Sequence, residues 1–270
     1  MEAMVRGIRL HWRERGRGEP VVFLHPFPLN GEAWADQLDR LPDRWHLLAP
    51  DLRGFGRSET GEGGGPLRMD QLADDVAAFL DHRGLGRVVV CGLSMGGYVA
   101  FALWRRHRER VRALVLCDTR AEADGEAQRR ARALLALRVQ RDGAGAAADA
   151  LLPGLLSERT RRERPELEDR VRALIESTPR ATIVRALEGL AERSDSTDLL
   201  PGITVPTLVI VGAEDTVTPP SVAEAMASRI PGARLRVIEG AGHLSNMEAP
   251  AAFDTVLVHF LEATGAHAPA

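Results

Sequence analysis

A turn rich in small residues places one serine where it could act as a nucleophile. Residues 91–97 read CGLSMGG, follow an apolar run rich in valine and precede a helical pattern. A glycine–x–serine–x–glycine turn of this kind joins a strand to a helix and projects the serine hydroxyl outward, while its glycines let the backbone segments approach closely. The pattern predicts a nucleophile elbow with Ser94 as the nucleophile.

The residues that a serine nucleophile needs follow later in the chain. A serine hydroxyl is a weak nucleophile near neutral pH, so it requires a histidine as general base and a carboxylate to orient that histidine. The segments VGAEDTVTPP and EGAGHLSNMEAP supply Asp215 and His243, each on a glycine-containing loop just beyond an apolar run. We therefore predict a catalytic triad of Ser94, Asp215 and His243, in the chain order serine, acid, histidine.

Two other carboxylates compete for the acid position. Asp118 follows the apolar run at 111–117, so its side chain could also approach the histidine. Glu214 directly precedes Asp215 and is expected to point to solvent. The sequence favours Asp215 over both.

Acyl transfer also requires hydrogen-bond donors for the oxyanion, and removing one donor costs about 2.7 to 4 kcal/mol in barrier height. The backbone N–H of Met95, directly after the nucleophile, is one predicted donor. The loop HPFPLNG supplies the other: Pro26 and Pro28 have no N–H, so the donor expected there is Phe27. His25 is expected to support this loop instead of serving as a second base. The peptide bond before Pro28 is expected to be cis.

Strand-like and helix-like patterns alternate along most of the chain. This alternation predicts an α/β fold with a mostly parallel sheet of about eight strands flanked by helices. Strands are predicted at 21–24, 46–49, 88–91, 111–117, 207–211 and 235–238, and an edge strand at 6–12 is expected to form a hairpin with 21–24. Helices are predicted at 69–83, 98–107, 221–229 and 251–261.

The strand signal disappears between residues 120 and 198. This segment is rich in Arg, Ala, Glu and Leu and is interrupted by glycines and prolines, which predicts four or five short amphipathic helices. We expect residues 1–119 and 199–270 to form the core, and 120–198 to form a helical cap over the carboxyl edge of the sheet. Five leucines either line an apolar pocket there or form the core of the cap itself: Leu134, Leu137, Leu151, Leu155 and Leu156.

Composition limits the classes of partner. The 270 residues carry a formal charge of −3, so no strong field attracts nucleic acid or an anionic membrane. The chain contains no lysine, which excludes Schiff-base chemistry on a lysine.

No secretory segment and no metal motif is visible, so we expect a cytoplasmic protein without metal or other cofactor. Cys91 and Cys117 are expected to be buried, reduced thiols. No pattern indicates an oligomeric state.

Five segments together resemble the α/β-hydrolase superfamily. HPFPLNGEAW, DLRGFGRS, GLSMGG, GAEDTVTP and GAGHLSNMEAP occur in that order over essentially the whole chain. Within the superfamily the chain looks most like small bacterial carboxylesterases, 3-oxoadipate enol-lactonases and cofactor-free haloperoxidases or perhydrolases. Two features depart from that resemblance: Pro26 stands where these proteins usually have glycine, and residues 120–204 contain no aromatic side chain.

The resemblance implies hydrolysis of a small carboxylic ester or lactone through an acyl-enzyme on Ser94. A perhydrolase and a C–C bond hydrolase would use the same triad, and an aminopeptidase would need an acid such as Glu122, Asp124 or Glu126 for the substrate amine. Dehalogenases and epoxide hydrolases are disfavoured because their nucleophile is a carboxylate. An alternative of another class is a ligand sensor that turns over slowly.

Overall fold

The computed structural model describes residues 1–265 and is built around an eight-stranded sheet. The strands are β1 (Glu2–Val5), β2 (Ile8–Arg15), β3 (Glu19–Leu24), β4 (Trp45–Pro50), β5 (Val88–Leu93), β6 (Val111–Cys117), β7 (Thr207–Gly212) and β8 (Arg234–Ile238). Their order across the sheet is β1-β2-β4-β3-β5-β6-β7-β8. The predicted α/β fold with a mostly parallel sheet is confirmed.

The first two strands differ from the expectation. The chain turns at Arg6 and Gly7, which both have positive φ, so that β1 and β2 form an antiparallel hairpin. Strand β2 then pairs with β4, antiparallel, and not with β3. The predicted hairpin between 6–12 and 21–24 is therefore wrong. The physical reason is that β3 already has parallel partners on both sides, β4 and β5, so no edge of β3 is open to β2.

The remaining strands bring the carboxyl ends of the sheet to one edge. Strands β3 to β8 all run parallel to one another. Strands β5 and β7 are buried along their whole length, which explains why their sequences are nearly continuous apolar runs. The loops that follow β3, β5, β7 and β8 therefore lie at a common edge, where α/β proteins bind ligands.

Helices cover the sheet and fill the long connection after β6. They are α1 (Ala35–Arg40), α2 (Met69–His82), α3 (Met95–His107), α4 (Glu126–Asp142), α5 (Gly145–Leu155), α6 (Glu158–Glu163), α7 (Pro165–Glu176), α8 (Arg180–Ala191), α9 (Pro220–Arg229), α10 (Ser245–Glu248) and α11 (Pro250–Ala263). In α2, for example, Leu72, Val76 and Phe79 recur at helical spacing and are fully buried against the core.

Helices α4 to α8 all lie between β6 and β7, and we call them the inserted helices. Helix α4 packs against α8, and α5 packs against α7. Local signals explain where they begin: the Ser157 hydroxyl accepts a hydrogen bond from the N–H of Thr160 at the start of α6, and Pro165 occupies the first position of α7. Helix α4 ends at Asp142, and the next residue, Gly143, has a φ of 89°.

The two cysteines are buried free thiols, as predicted. Cys91 in β5 and Cys117 in β6 lie with their sulfur atoms 3.8 Å apart. Burial of the thiol raises the pKa of Cys117 well above its usual value, which keeps that thiol protonated and unreactive. Within residues 1–265, no helix combines the length and apolar character that crossing a bilayer requires.

Candidate active site

Ser94 occupies a sharp turn between β5 and α3. Its backbone has φ 52° and ψ −112°, a combination that a residue with a side chain rarely adopts. The turn is held by a hydrogen bond from the N–H of Ser94 to the carbonyl of Cys117, 2.9 Å, and by one from the Thr119 hydroxyl to the carbonyl of Ser94, 2.9 Å. Such strain persists only where the surrounding structure enforces it, and it is concentrated at functional sites.

Close backbone approach explains the glycines of the turn. A Cβ atom added to Gly96 would lie 2.0 Å from the carbonyl oxygen of Leu24 in the neighbouring strand. One added to Gly97 would lie 2.4 Å from the hydroxyl oxygen of Thr119. Both distances are far below van der Waals contact, so only glycine fits at these positions.

The structure brings Ser94, His243 and Asp215 together at the carboxyl edge of the sheet. The Oγ atom of Ser94 lies 2.9 Å from Nε2 of His243, and Nδ1 of His243 lies 2.8 Å from Oδ2 of Asp215. This arrangement assigns the proton of the neutral imidazole to Nδ1, which donates to Asp215, and leaves Nε2 to accept from the serine hydroxyl.

Asp215 is itself fixed by three further donors. Its Oδ1 accepts the backbone N–H groups of Val217 and Thr218, at 2.8 and 2.9 Å, and its Oδ2 accepts the hydroxyl of Thr218 at 2.6 Å. Asp215 and His243 are both almost completely buried. The orientation of the carboxylate is therefore set before any ligand arrives.

Burial and the carboxylate act in opposite directions on the histidine. Burial alone lowers the pKa of His243, but the charge of Asp215 and its hydrogen bond outweigh burial, so the pKa lies above the usual value of 6.5. Burial also disfavours the charged form of Asp215, and the nearby His243 with its hydrogen bonds overcomes this and lowers the pKa of Asp215. Asp215 is therefore ionised near neutral pH, and the imidazole is a stronger base than free histidine.

Asp118, the competing carboxylate, has other partners. Its Oδ1 accepts the backbone N–H of Gly212 at 2.8 Å, and its Oδ2 accepts the hydroxyl of Ser245 at 2.5 Å. Burial and the neighbouring charge of Asp215 raise the pKa of Asp118 to about 8. Glu214, the other alternative, has an exposed side chain. Of the three acids considered from the sequence, Asp215 is the one hydrogen-bonded to the imidazole.

The two residues predicted to supply the oxyanion donors lie at the nucleophile. Phe27 and Met95 both line the cavity at Ser94, and neither N–H donates a backbone hydrogen bond within residues 1–265. The peptide bond between Phe27 and Pro28 is cis, as predicted. Unengaged N–H groups beside a nucleophile can donate hydrogen bonds to the carbonyl oxygen, which becomes negatively charged during the attack.

His25 supports the loop that carries Phe27, as predicted. Its Nδ1 donates to the carbonyl of Pro26 at 3.0 Å, and its Nε2 accepts the backbone N–H of Leu52 at 3.0 Å. Burial lowers the pKa of His25 to about 4, so the ring is neutral near pH 7. Both ring nitrogens already have hydrogen-bond partners. Neither is therefore free to take a proton from Ser94.

A cavity of about 90 Å³ opens at the nucleophile. The inserted helices contribute Leu151, Leu155 and Leu190 to its wall, together with Arg132, and the remaining lining residues are Phe27, Ser94, Met95, Tyr98, Arg120, Val217 and His243. The wall is apolar over the leucines and carries two guanidinium groups. The cavity has room for only a few carbon atoms, and Ser94 forms part of its lining.

The five leucines divide between the two alternatives, pocket wall and buried core, and two of them fit neither. Leu151 and Leu155 line the cavity, but Leu134 and Leu137 are 67% and 69% exposed on the outer face of α4, and Leu156 is buried outside the cavity lining. The reason is the rotation of α4, which turns Arg132 instead of its leucines toward the cavity. Sequence analysis missed Arg132 and Arg120 because no local pattern distinguishes them from the many surface arginines.

The acids considered for binding a substrate amine do not face the cavity. Asp124 is buried in ion pairs with Arg132 and Arg193, while Glu122 and Glu126 are exposed. None of the three is among the residues that line the cavity. The geometry therefore gives no support to the aminopeptidase alternative.

Glu248 joins the loop of His243 to the inserted helices. Its Oε1 accepts the backbone N–H of Gly242, and its Oε2 accepts that of Ser157, both at 2.9 Å. Nearby, the N–H of Leu244 donates to the carbonyl of Leu155 at 3.2 Å. The histidine and the cavity wall are thus held in one hydrogen-bonded unit.

Known proteins match the chain over most of its length. The profile of one protein family, the alpha/beta hydrolase fold, matches residues 19–250. The 3-oxoadipate enol-lactonase 2 of Acinetobacter baylyi is 32% identical over 240 residues, which cover 87% of this chain and 85% of the relative.

Solved structures agree with that match. A thermophilic esterase from Thermogutta terrifontis, determined with malate bound, has a TM-score of 0.94 at 40% identity and covers 98% of this chain and 99% of its own. The enol-lactonase from Burkholderia xenovorans LB400 has a TM-score of 0.90 at 31% identity, covering 97% of this chain and 100% of its own. The resemblance expected from the sequence is confirmed: the chain belongs to the alpha/beta hydrolase fold family.

Proposed function

We propose that this chain is a serine hydrolase that cleaves a small carboxylic ester or lactone through an acyl-enzyme on Ser94. The observation that carries the proposal is the unbroken hydrogen-bonded series from Ser94 through His243 to Asp215, with spacings of 2.9 and 2.8 Å, at the end of a small cavity. Relatives named as an enol-lactonase and an esterase support hydrolysis of an ester or lactone bond.

Acylation begins with attack by the Ser94 oxygen on the substrate carbonyl carbon. Nε2 of His243 takes the hydroxyl proton, and the ionised Asp215 stabilises the imidazolium that forms. The carbonyl π electrons move to oxygen, and the N–H groups of Phe27 and Met95 donate to the resulting oxyanion. When the tetrahedral intermediate collapses, the C–O bond to the leaving group breaks, and His243 returns the proton to the departing alkoxide.

Deacylation repeats these steps with water. Nε2 of His243 takes a proton from water, the hydroxide attacks the acyl carbon, and collapse releases the carboxylic acid while Ser94 regains its proton. With a lactone, the leaving alkoxide stays attached to the acyl group, so a single hydroxy acid departs. No step consumes a cofactor.

The cavity sets the acyl size that we propose. An apolar cavity of about 150 Å³ is large enough for benzene, and the volume of about 90 Å³ here is smaller. A short acyl group therefore fits better than a fatty acyl chain. We also propose that residues 120–198 act as the cap that determines this size, because α5 and α8 supply three leucines of the wall.

The test compares hydrolysis of p-nitrophenyl butyrate by the wild-type protein, Ser94→Ala and a matched control, Ser228→Ala. Ser228 is an exposed serine on α9, remote from the cavity. We expect turnover in the wild type and the control, and none above background in Ser94→Ala. A small lactone, δ-valerolactone, is assayed in parallel by acid release.

Mass spectrometry of rapidly quenched wild-type enzyme locates the acyl group. We expect the added butyryl mass on the peptide that contains Ser94. Activity retained in a folded Ser94→Ala protein would contradict the proposal, as would an acyl adduct on another residue. If neither the ester nor the lactone is turned over, the proposed hydrolysis of esters and lactones is wrong.

A further inference from the structure

We propose that Arg120 and Arg132 form a subsite for a carboxylate group on the acyl part of the substrate, so that the preferred substrate is a half-ester of a short dicarboxylic acid. This inference rests on the proposed function, because it assigns the acyl group to the cavity at Ser94. It concerns a second charged group of the substrate, distinct from the carbonyl that reacts.

One arginine of the cavity wall, Arg120, has no carboxylate partner within residues 1–265. Three guanidinium groups, from Arg120, Arg132 and Arg193, are grouped near one buried carboxylate, Asp124. Asp124 forms ion pairs with Arg132 and Arg193 together. No ion pair within residues 1–265 joins Arg120 to Asp124 or to the ionised Asp215 of the triad. Charges that are partly removed from water require a partner, and an anionic substrate would supply it.

Arg120 carries the unmatched charge. Its Nη2 donates to the carbonyl of Val217 at 2.7 Å, which is a neutral partner. Its Nε is buried and has no hydrogen-bond partner within residues 1–265, and none of the ion pairs in this part of the chain includes Arg120. A donor of this kind costs free energy until an acceptor reaches it.

Arg132 is held in place but retains free donors. Its Nε and Nη2 both face the carboxylate of Asp124, which fixes the plane of the guanidinium. Arg193, the other partner of Asp124, is stacked over the ring of Tyr98 at 4.2 Å. The Nη1 group of Arg132 has no hydrogen bond within the described residues. Because Arg132 also lines the cavity, the proposed subsite uses this donor as its second contact to the carboxylate.

The apolar wall strengthens the attraction for an anion. Leu151, Leu155 and Leu190 keep water from one side of the cavity, and a charge-assisted hydrogen bond is stronger where water is excluded. A guanidinium group also matches the planar, two-oxygen geometry of a carboxylate. The acyl group best suited to this cavity is therefore short and ends in a carboxylate.

Two methyl esters of nearly equal shape test the subsite. Monomethyl succinate carries a terminal carboxylate where methyl 4-methylpentanoate carries an isopropyl group, and acid release from both can be followed by pH-stat titration. The proteins are wild type, Arg120→Gln, Arg132→Gln and the control Arg130→Gln. Arg130 lies on the same helix as Arg132, but its side chain is 71% exposed and pairs with Glu126.

We expect wild-type and Arg130→Gln proteins to prefer monomethyl succinate. Charge-assisted hydrogen bonds correspond to about 10- to 100-fold in affinity, so Arg120→Gln should lower kcat/KM for monomethyl succinate by about that factor, mainly through KM. Hydrolysis of methyl 4-methylpentanoate should change by less than about threefold. If the wild type hydrolyses both esters equally, the subsite is wrong. The same conclusion follows if Arg120→Gln lowers kcat/KM for both esters by the same factor.

A binding measurement separates this inference from the proposed function. Succinate should raise the Tm of the wild-type and Ser94→Ala proteins but not that of Arg120→Gln, whereas 4-methylpentanoate should raise none of them comparably. If neither ester is cleaved but succinate binds in this way, the hydrolase proposal fails and the carboxylate subsite stands. If both esters are cleaved equally and succinate has no effect on Tm, the subsite fails alone.

Discussion

Asp118 and Asp215 follow adjacent parallel strands, yet the hydrogen bond of His243 goes to Asp215. The carboxyl group of Asp118 is occupied by Gly212 and Ser245, and burial with the charge of Asp215 raises its pKa to about 8. Two carboxyl groups close to one imidazole thus differ in protonation near pH 7. Their environments keep Asp215 ionised and Asp118 largely protonated.

Exchange of each acid for asparagine separates their roles. Asp215→Asn should lower kcat by about 10⁴-fold, because an amide no longer favours the tautomer that leaves Nε2 free. Asp118→Asn should change kcat by less than about threefold, since an asparagine can accept from Gly212 and donate to Ser245. Steady-state kinetics on p-nitrophenyl butyrate gives both values. A larger loss in Asp118→Asn than in Asp215→Asn would reverse the assignment.

The pH dependence of kcat/KM should report the basicity of His243. The imidazole must be neutral to take the serine proton, and its raised pKa keeps it protonated to higher pH than free histidine. Activity should therefore fall as pH decreases, with a midpoint above 6.5. An acid limb centred below that value in the wild type would show that Asp215 does not govern the imidazole.

The elbow should tolerate no side chain at Gly96. The added methyl group of Gly96→Ala would meet the Leu24 carbonyl oxygen at 2.0 Å, so the strand and helix must separate, at a cost of about 1 to 3 kcal/mol. Gly86→Ala is the matched control, because nothing lies within 4 Å of its added Cβ. Urea denaturation of both variants, with activity alongside, checks the expectation. Equal stability of the two would contradict it.

His25 should make stability depend on pH. Its pKa is about 4 in the folded protein and 6.5 in the unfolded chain, so the unfolded chain binds the extra proton between these values. The free energy of unfolding should therefore rise with pH across this window, by about 3 kcal/mol from this group at about 1.36 kcal/mol per pH unit. His25→Gln should lose that component. Urea denaturation of both proteins from pH 4.5 to 7.5 measures the difference, and parallel pH profiles would refute it.

The sequence was sufficient where the signal is local. The elbow at Ser94 depends on glycines within three residues, and Asp215 and His243 each follow a strand whose end is visible in the sequence. Parallel strands then bring these positions to a common edge. The expected fold is confirmed for this reason.

The sequence was insufficient where distant segments decide the outcome. The partner of β2 depends on which edges the other strands leave open. The residues at Arg6 also form no recognisable turn signal, so the hairpin between β1 and β2 was not predicted. The exposure of Leu134 and Leu137, and the inward position of Arg132, depend on how α4 is rotated against α8. That rotation results from packing between helices, and the weak amphipathic pattern of α4 does not encode it.

The anchoring by Glu248 has a consequence for how this fold can vary. Its carboxylate binds the backbone N–H groups of Gly242 and Ser157, so the attachment does not depend on the side chain at position 157. Any residue except proline at position 157 preserves the hydrogen bond to Glu248, because only proline lacks the backbone N–H. New side chains on α4, α5 and α8 can therefore reshape the pocket while His243 keeps its position, so the selectivity of this site can vary without a change in its catalytic residues.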